Sequence, residues 1–146
     1  MKVKEIMIKN VLETKADYSI KEVSRHLIKN HINCMPVVDN DGSLIGIVTQ
    51  ADIFRAILPS YDELYKEGEY INFEQIEARS SDVKNRNISN IMTKEVIYVD
   101  EETPVVKAGS IMLLKKIKQI PVINSNKKLV GLITFHDIIE ELIINR

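Results

Sequence analysis

Apolar residues recur at helical spacing in two stretches of the chain. The two sets are Ile20, Val23, Leu27 and Ile28, and Val105, Ala108, Ile111 and Met112. Spacings of three and four residues place side chains on one face of a helix. Thr103-Pro104 precedes the second set, and proline is favoured in the first turn of a helix. The pattern therefore predicts one amphipathic helix in each stretch.

Short apolar runs follow each predicted helix and predict strands. The first runs, Cys34–Asp39 and Gln119–Asn124, contain a proline near their start, where a strand tolerates it. Each run is followed by a polar turn, a second strand and a closing helix. The second strands are Leu44–Thr49 and Leu129–Thr134, and the closing helices are Asp52–Leu58 and Asp137–Ile144. The predicted order of elements is thus the same in both halves.

The two halves are copies of one another. The pairs that are identical at a shift of 85 positions include Pro36 and Pro121, Gly46 and Gly131, Thr49 and Thr134, and Asp52 and Asp137. Most other pairs stay apolar without a gap, which indicates an internal duplication. We predict repeats at 1–58 and 88–146, joined by a partly helical connector at 59–87. Each repeat contains a leading segment, Lys4–Leu12 or Ser89–Ile97, that ends in a brief β stretch.

An ordinary composition argues against several classes of partner. The 146 residues are 45% hydrophobic and 28% charged, and 20 basic and 21 acidic residues give a net charge of −1. Neither a basic stripe nor a Trp is available to bind nucleic acid. The N-terminus lacks the apolar stretch of a signal peptide, and no apolar run reaches the ~18 residues that span a bilayer. We therefore expect a cytoplasmic protein that binds neither nucleic acid nor a membrane.

Catalytic and metal-ligating patterns are also missing from the sequence. The single cysteine, Cys34, and the three histidines do not have the spacing of metal ligands. No Gly-rich phosphate loop, Cys-x-x-Cys or Gly-x-Ser-x-Gly occurs. His136 and Asp137 are neighbours, but adjacent residues of a helix point in different directions. We therefore expect no enzymatic activity, no metal and no required cofactor.

Thr49-x-x-Asp52 and Thr134-x-x-Asp137 lie where a predicted strand ends and a helix begins. One interpretation is a capping box, which would stabilise the helix start by about 1 kcal/mol without any ligand. The other is ligand binding, because the N–H groups at a helix N-terminus suit a phosphate and a carboxylate accepts hydrogen bonds from ribose hydroxyls. The two roles are compatible, and the residues alone leave both open.

A set of short motifs occurs in the same order in both repeats. Its members are Ile6-Met7 with Val11, Ile91-Met92-Thr93 with Val96, Met35–Asp39, Ile120–Asn124, Gly46–Ile53 and Gly131–Ile138. The set resembles the CBS domain, which usually occurs as a tandem pair called a Bateman module. The resemblance implies an α+β fold of two β-α-β-β-α units that pack sheet to sheet about a pseudo-twofold axis. It also implies that two such pairs commonly form a homodimer.

The resemblance further implies a ligand class and residue roles. Members of the family bind AMP, ADP, ATP, S-adenosylmethionine or cyclic dinucleotides such as cyclic di-AMP, and regulate an attached or partner protein. Carried over to this sequence, Asp52 and Asp137 hold the ribose, while Thr49, Thr134 and His136 face phosphates. The adenine pocket then comprises Met7, Val11, Leu12, Ile32 and Asn33 in the first repeat, and Met92, Thr93, Val96, Ile97, Ile117 and Lys118 in the second. The alternative for these pocket residues is that they are simply core.

The two implied sites differ, and the first β stretches depart from the family pattern. His136 and Lys118 add donors to the second site, which favours a multiply charged phosphate there. Many members carry Thr-Val-x-Pro where this chain has Glu13–Ala16 and Tyr98–Glu101. We therefore expect an adenine-nucleotide sensor that acts on a separate effector protein, with the identity of the nucleotide open. The alternative is a dimerisation scaffold that needs no ligand.

Overall fold

The computed structural model, which describes residues 1–58 and 72–146, contains both helices and strands in each half of the chain. The helices are α1 (Val3–Ile6), α2 (Ile20–Lys29), α3 (Gln50–Ile57), α4 (Phe73–Ala78), α5 (Ser80–Val83), α6 (Val105–Lys115) and α7 (Phe135–Ile139). A 3-10 turn spans Ile88–Asn90, and a π-helical turn, Glu140–Ile144, continues α7. The strands are β1 (Cys34–Val38), β2 (Leu44–Thr49), β3 (Val99–Asp100), β4 (Gln119–Ile123) and β5 (Leu129–Thr134). This mixed content confirms the predicted α+β class.

The chain divides into two compact units, each assembled from both sequence repeats. Unit 1 contains Met1–Glu13, Val38–Ile45 and Glu95–Arg146, and unit 2 contains Thr14–Val37 and Gly46–Lys94. The start of each leading segment is therefore grouped with the strands and helices of the other repeat. The boundaries of the repeats themselves, 1–58 and 88–146, stay a prediction from the sequence. Of the predicted connector, residues 59–71 lie outside the described residues, and α4 and α5 lie in the remainder.

Unit 1 is built on a three-stranded sheet in the order β3-β4-β5. Strand β3 runs parallel to β4, and β4 runs antiparallel to β5. Helix α6 buries Val105, Ala108 and Met112, three residues of the predicted apolar face. The core that they join comprises Val3, Val99, Ile120, Val122, Ile133 and Ile138. Burial of such apolar side chains away from water is the main stabilising term of the unit.

In unit 2, the N-terminus of helix α2 is capped by the side chain of Ser19. The Ser19 hydroxyl accepts a hydrogen bond from the N–H of Glu22 at 3.1 Å, and Ile20, Val23 and Leu27 are buried. The chain leaves the helix through His31, whose φ of 53° is left-handed, as is the φ of 57° at Lys116 in the other repeat. Left-handed residues commonly end helices. The duplication thus extends to backbone conformation.

The brief β stretches begin two residues beyond the end that the sequence predicts for them. Val99 pairs with Val122 in parallel, and Thr14, 85 positions earlier, forms a parallel bridge with Val37. The leading segments had been expected to end in these stretches at Leu12 and Ile97. The shift has a physical reason, since the alternation of apolar residues does not show which residue reaches the partner strand.

One buried hydroxyl distinguishes the two bridges. Thr14 is 3% exposed, and its Oγ1 has no hydrogen-bond partner within the part of the chain that the structure describes. A buried hydroxyl without a partner costs about 1–3 kcal/mol. The equivalent position in the other repeat holds Val99, which has nearly the same shape and no polar atom.

We expect Thr14→Val to raise the free energy of unfolding by about 1 kcal/mol, because it removes the unpaired hydroxyl and keeps the side-chain shape. Urea unfolding followed by circular dichroism measures the change. Val99→Thr is the matched control, and it should lower the stability by about 1–3 kcal/mol. An unchanged or lower stability of Thr14→Val would contradict the interpretation that the Thr14 hydroxyl is buried without a hydrogen-bond partner.

Candidate functional site

Both Thr-x-x-Asp motifs form capping boxes at the starts of helices. At α3, Thr49 Oγ1 accepts from the Asp52 N–H at 3.1 Å, and the Thr49 N–H donates to Asp52 Oδ2 at 3.0 Å. At α7 the same two bonds join Thr134 and Asp137, at 3.2 and 3.0 Å. Since the helices begin directly after the threonines, they start two residues earlier than predicted. The capping interpretation of the motif is confirmed in both repeats.

The two carboxylates have different second partners. In unit 2, Arg55 Nη1 donates to Asp52 Oδ1 at 3.0 Å, with the Asp52 side chain 11% exposed and the Arg55 side chain 70% exposed. In unit 1, the Thr134 hydroxyl donates to Asp137 Oδ2 at 2.7 Å. Glu140 holds the position that corresponds to Arg55, and its Oε2 lies 3.8 Å from His136 Nε2. One carboxylate therefore has a cationic neighbour and the other has an anionic residue one turn away.

Around Asp52, unit 2 brings together residues from both repeats. The Gln50 N–H donates to the Asn33 carbonyl at 3.0 Å, and Gln50 Nε2 donates to the Ile32 carbonyl at 3.1 Å. Thr93 exchanges two backbone hydrogen bonds with Ile47 on β2, at 2.9 and 3.0 Å. Ile32, Asn33, Met92 and Thr93 therefore belong to the same unit as Thr49 and Asp52.

Around Asp137, unit 1 shows the equivalent arrangement of backbone hydrogen bonds. The Phe135 N–H donates to the Lys118 carbonyl at 3.1 Å, and Ile8 exchanges two backbone hydrogen bonds with Leu132 on β5, at 2.8 and 3.0 Å. Met7, Ile97 and Ile117 pack against the core of this unit. Val11, Leu12 and Val96 also belong to unit 1, with Leu12 46% exposed.

The two units group these residues differently from the predicted pockets, whose membership stays a prediction. Met7, Val11 and Leu12 were assigned to the site of Asp52, but they lie in the unit of Asp137. Met92 and Thr93 were assigned to the site of Asp137, but they lie in the unit of Asp52. The two groupings differ because Thr93 pairs with Ile47, 46 positions earlier, and Ile8 pairs with Leu132, 124 positions later. Local periodicity carries no information about such pairing.

Two glycines, whose importance was not recognised in the sequence, explain why the leading segments fit. A Cβ at Gly46 would lie 2.7 Å from Met92 Sδ and 3.2 Å from the Thr93 carbonyl oxygen. A Cβ at Gly131 would collide with Met7 Sδ and lie 3.0 Å from the Ile8 carbonyl oxygen. Glycine in a strand commonly marks a close approach of other backbone. The signal available in the sequence was a glycine in the middle of each second strand, with an Ile-Met pair in each leading segment.

Outside the two Thr-x-x-Asp motifs, the described residues offer few groups for catalysis or metal binding. His136 is 84% exposed at its side chain, and Lys118 is exposed as well. Burial raises the pKa of the Cys34 thiol to about 12, so this thiol is not a ready nucleophile. Between residues 1–58 and 72–146, no three His, Cys, Asp or Glu side chains are grouped to hold a metal ion. No helix in those ranges has the length and apolar character needed to cross a membrane.

With this geometry in place, the comparison with protein families is decisive. The sequence profile described as CBS domain matches residues 3–59 and again residues 88–144. This chain belongs to the CBS domain family. The two matches confirm the tandem pair that the repeated motifs indicated.

Relatives place the CBS pair in different contexts. The chain is 28% identical over 141 residues to a CBS domain-containing protein of Dictyostelium discoideum, and the match covers 97% of this chain and 90% of that protein. It is 29% identical over 136 residues to a homoserine O-acetyltransferase of Methanohalobium evestigatum, where the match covers 93% of this chain but 23% of that enzyme. Similarity to the enzyme therefore concerns a minor part of its length.

A solved structure of similar fold contains adenosine compounds. The CBS domain pair of protein MJ0100, in complex with 5′-methylthioadenosine and S-adenosyl-L-methionine, is 30% identical to this chain. The TM-score is 0.69, and the superposition covers 94% of this chain and 96% of that one.

We expect Gly46→Ala to lower the free energy of unfolding by about 1–3 kcal/mol, because the added methyl group overlaps Met92 and approaches the Thr93 backbone. Chemical unfolding measures the loss, and Met92→Ala should relieve part of it in the double variant. Gly109→Ala is the matched control. Its Cβ would meet Ile138 Cδ1 at an ordinary 3.4 Å within α6, so the helix should gain up to about 1 kcal/mol. Equal effects of the two substitutions would refute the close-approach explanation.

Proposed function

We propose that this CBS pair is a regulatory module that binds adenosine-containing ligands and acts on a separate effector protein. The observation that carries the proposal is the position of Asp52 and Asp137. Each carboxylate is held by a capping box at a helix start, beside a leading segment from the other repeat. Support comes from the 30% identical CBS pair that binds 5′-methylthioadenosine and S-adenosyl-L-methionine.

The chemistry of each site suits an adenosine moiety. A carboxylate accepts hydrogen bonds from the ribose hydroxyls, as acidic residues do in dinucleotide-binding folds. Thr49 and Thr134 would face the phosphate or other 5′ substituent, together with His136 in unit 1. The adenine would lie against Met92, Thr93, Ile32 and Asn33 in unit 2. In unit 1 it would lie against residues from the set Met7, Val11, Leu12, Val96, Ile97, Ile117 and Lys118.

The proposed mechanism is a shift between conformations. A bound ligand stabilises whichever conformation it binds more tightly, and only to the extent of that preference. The readout is then a change in how the module contacts its effector, which is a cytoplasmic protein or another subunit. The module itself performs no reaction in this proposal. AMP, ADP, ATP, S-adenosylmethionine and cyclic di-AMP are the candidate ligands.

We expect isothermal titration to detect binding of at least one of these ligands, and Asp52→Asn with Asp137→Asn to weaken it about tenfold or more. Asparagine keeps an oxygen that accepts the threonine N–H, so the cap survives while the charge that attracts ribose hydroxyls is lost. At 100 times the dissociation constant, a ligand adds about 2.7 kcal/mol to stability, which thermal unfolding also detects.

Asp41→Asn is the control, since it removes one exposed carboxylate from a turn. It should leave both binding and melting temperature unchanged. Absence of binding by the wild-type chain for every candidate ligand would refute the sensor proposal. Unchanged binding by both aspartate variants would leave the motif as a helix cap only.

A specific surface feature favours a second candidate, the ligand-independent dimerisation scaffold. Ile28 and Phe54 in unit 2 are 66% and 62% exposed, and they line an apolar groove of about 200 Å³ between α2 and α3. Their counterparts in unit 1, Leu113 and Ile139, are 73% and 53% exposed. The same two positions thus present large apolar side chains in both repeats, which is typical of an interaction surface.

If this surface forms a homodimer, Phe54→Ser should shift the chain from dimer to monomer at micromolar concentration in analytical ultracentrifugation. Phe73→Ser is the matched control, because Phe73 is exposed to a similar extent, 66% against 62% for Phe54, but lies on α4. A wild-type monomer, or a dimer that tolerates Phe54→Ser, would contradict the role of this surface. A dimer that forms equally with and without adenosine ligands, in a chain that binds none, would favour the scaffold.

A further inference from the structure

We infer that Arg55 sets the ligand preference of the unit 2 site, so that this site takes adenosine compounds with a 5′-phosphate in preference to the uncharged nucleoside. The inference rests on the function proposed above. It starts from the ion pair between Arg55 Nη1 and Asp52 Oδ1, at 3.0 Å.

Both oxygens of the Asp52 carboxylate have donors. Oδ2 accepts from the Thr49 N–H at 3.0 Å, and Oδ1 accepts from Arg55. The capping bond is part of the helix start, whereas Arg55 is a long side chain with 70% of its surface exposed. A ribose hydroxyl that donates to Oδ1 competes with the guanidinium for the approach to this oxygen, and Arg55 is the partner that can move.

The displaced guanidinium decides which ligands bind well. Asp52 is 11% exposed, so the loss of its charged donor is unfavourable, although the 70% exposed Arg55 keeps this cost small. A 5′-phosphate compensates, because it offers the guanidinium a charge-assisted, bidentate partner. An uncharged nucleoside offers no such partner. Arg55 thus penalises adenosine and favours AMP within the same pocket.

Unit 1 has no arginine at the position equivalent to Arg55. Glu140 stands where Arg55 stands in unit 2, and its neighbour across one turn is His136 at 3.8 Å. A carboxylate at this position repels a phosphate, so the unit 1 site should not share the preference. The difference between the two repeats is a full reversal of charge at one position.

Isothermal titration of AMP and adenosine into the full chain tests the inference, with Asp137→Asn as the background so that the unit 2 site dominates. Arg55→Gln should weaken AMP binding about tenfold or more while leaving adenosine binding equal or tighter. Arg55→Lys should restore part of the AMP preference, because it returns the charge without the planar fork. Arg25→Gln is the control for net charge, since Arg25 is an exposed arginine on α2 of the same unit.

The outcomes distinguish failure of the proposed function from failure of the role assigned to Arg55. Failure of the wild-type chain to bind either compound overturns the proposed function and this inference together. Binding of both compounds with an AMP-to-adenosine ratio that Arg55→Gln does not change overturns the inference alone. Equal weakening of both compounds by Arg55→Gln assigns Arg55 a structural role and likewise overturns it. Melting temperatures of the variants show that each is folded.

Discussion

The contact between each leading segment and the glycine of the opposite repeat's second strand is the constraint on which the rest of the structure depends. Met92 lies over Gly46, and Met7 lies over Gly131. Each contact is reinforced by a pair of backbone hydrogen bonds, at Thr93 with Ile47 and at Ile8 with Leu132. Because these contacts join residues 46 positions apart in unit 2 and 124 positions apart in unit 1, neither repeat forms a complete unit by itself. Each compact unit therefore requires segments from both repeats.

The same contact lies close in sequence to the proposed ligand-binding residues. The strand that carries the glycine ends three residues later at the threonine of the Thr-x-x-Asp motif. The capping box then fixes the aspartate relative to the strand end, independently of any ligand. A carboxylate that is already oriented loses little conformational freedom when a ribose binds, which favours affinity. Helix capping and the proposed ligand binding therefore use the same geometry.

Much of this arrangement could be predicted from the sequence. Strands β2 and β5 have the predicted bounds, and the buried residues of α2 and α6 all belong to the predicted apolar sets. Ile28 of the predicted α2 face is instead 66% exposed. The motif that caps α3 and α7 was also found. Local patterns were sufficient for these features because each depends on residues close in sequence. The exchange of leading segments was not predicted, since backbone pairing of Thr93 or Ile8 leaves no periodic signal. The Arg55–Asp52 ion pair was missed for a different reason, because an exposed arginine carries no pattern that identifies its partner.

Burial separates what the two repeats share from what they do not. Gly46 and Gly131 are buried, and the threonines and aspartates of both motifs are half-buried. The positions that differ most in charge around the two motifs are exposed. The first repeat has Asn33, Ala51 and Arg55 where the second repeat has Lys118, His136 and Glu140. Packing strongly constrains the first set, because a change there disturbs the contact of the leading segment or the helix start. Exposed positions carry no such constraint, so substitutions there alter the local charge at little structural cost. The two proposed sites share one backbone arrangement, so they can diverge in ligand preference without any change of fold.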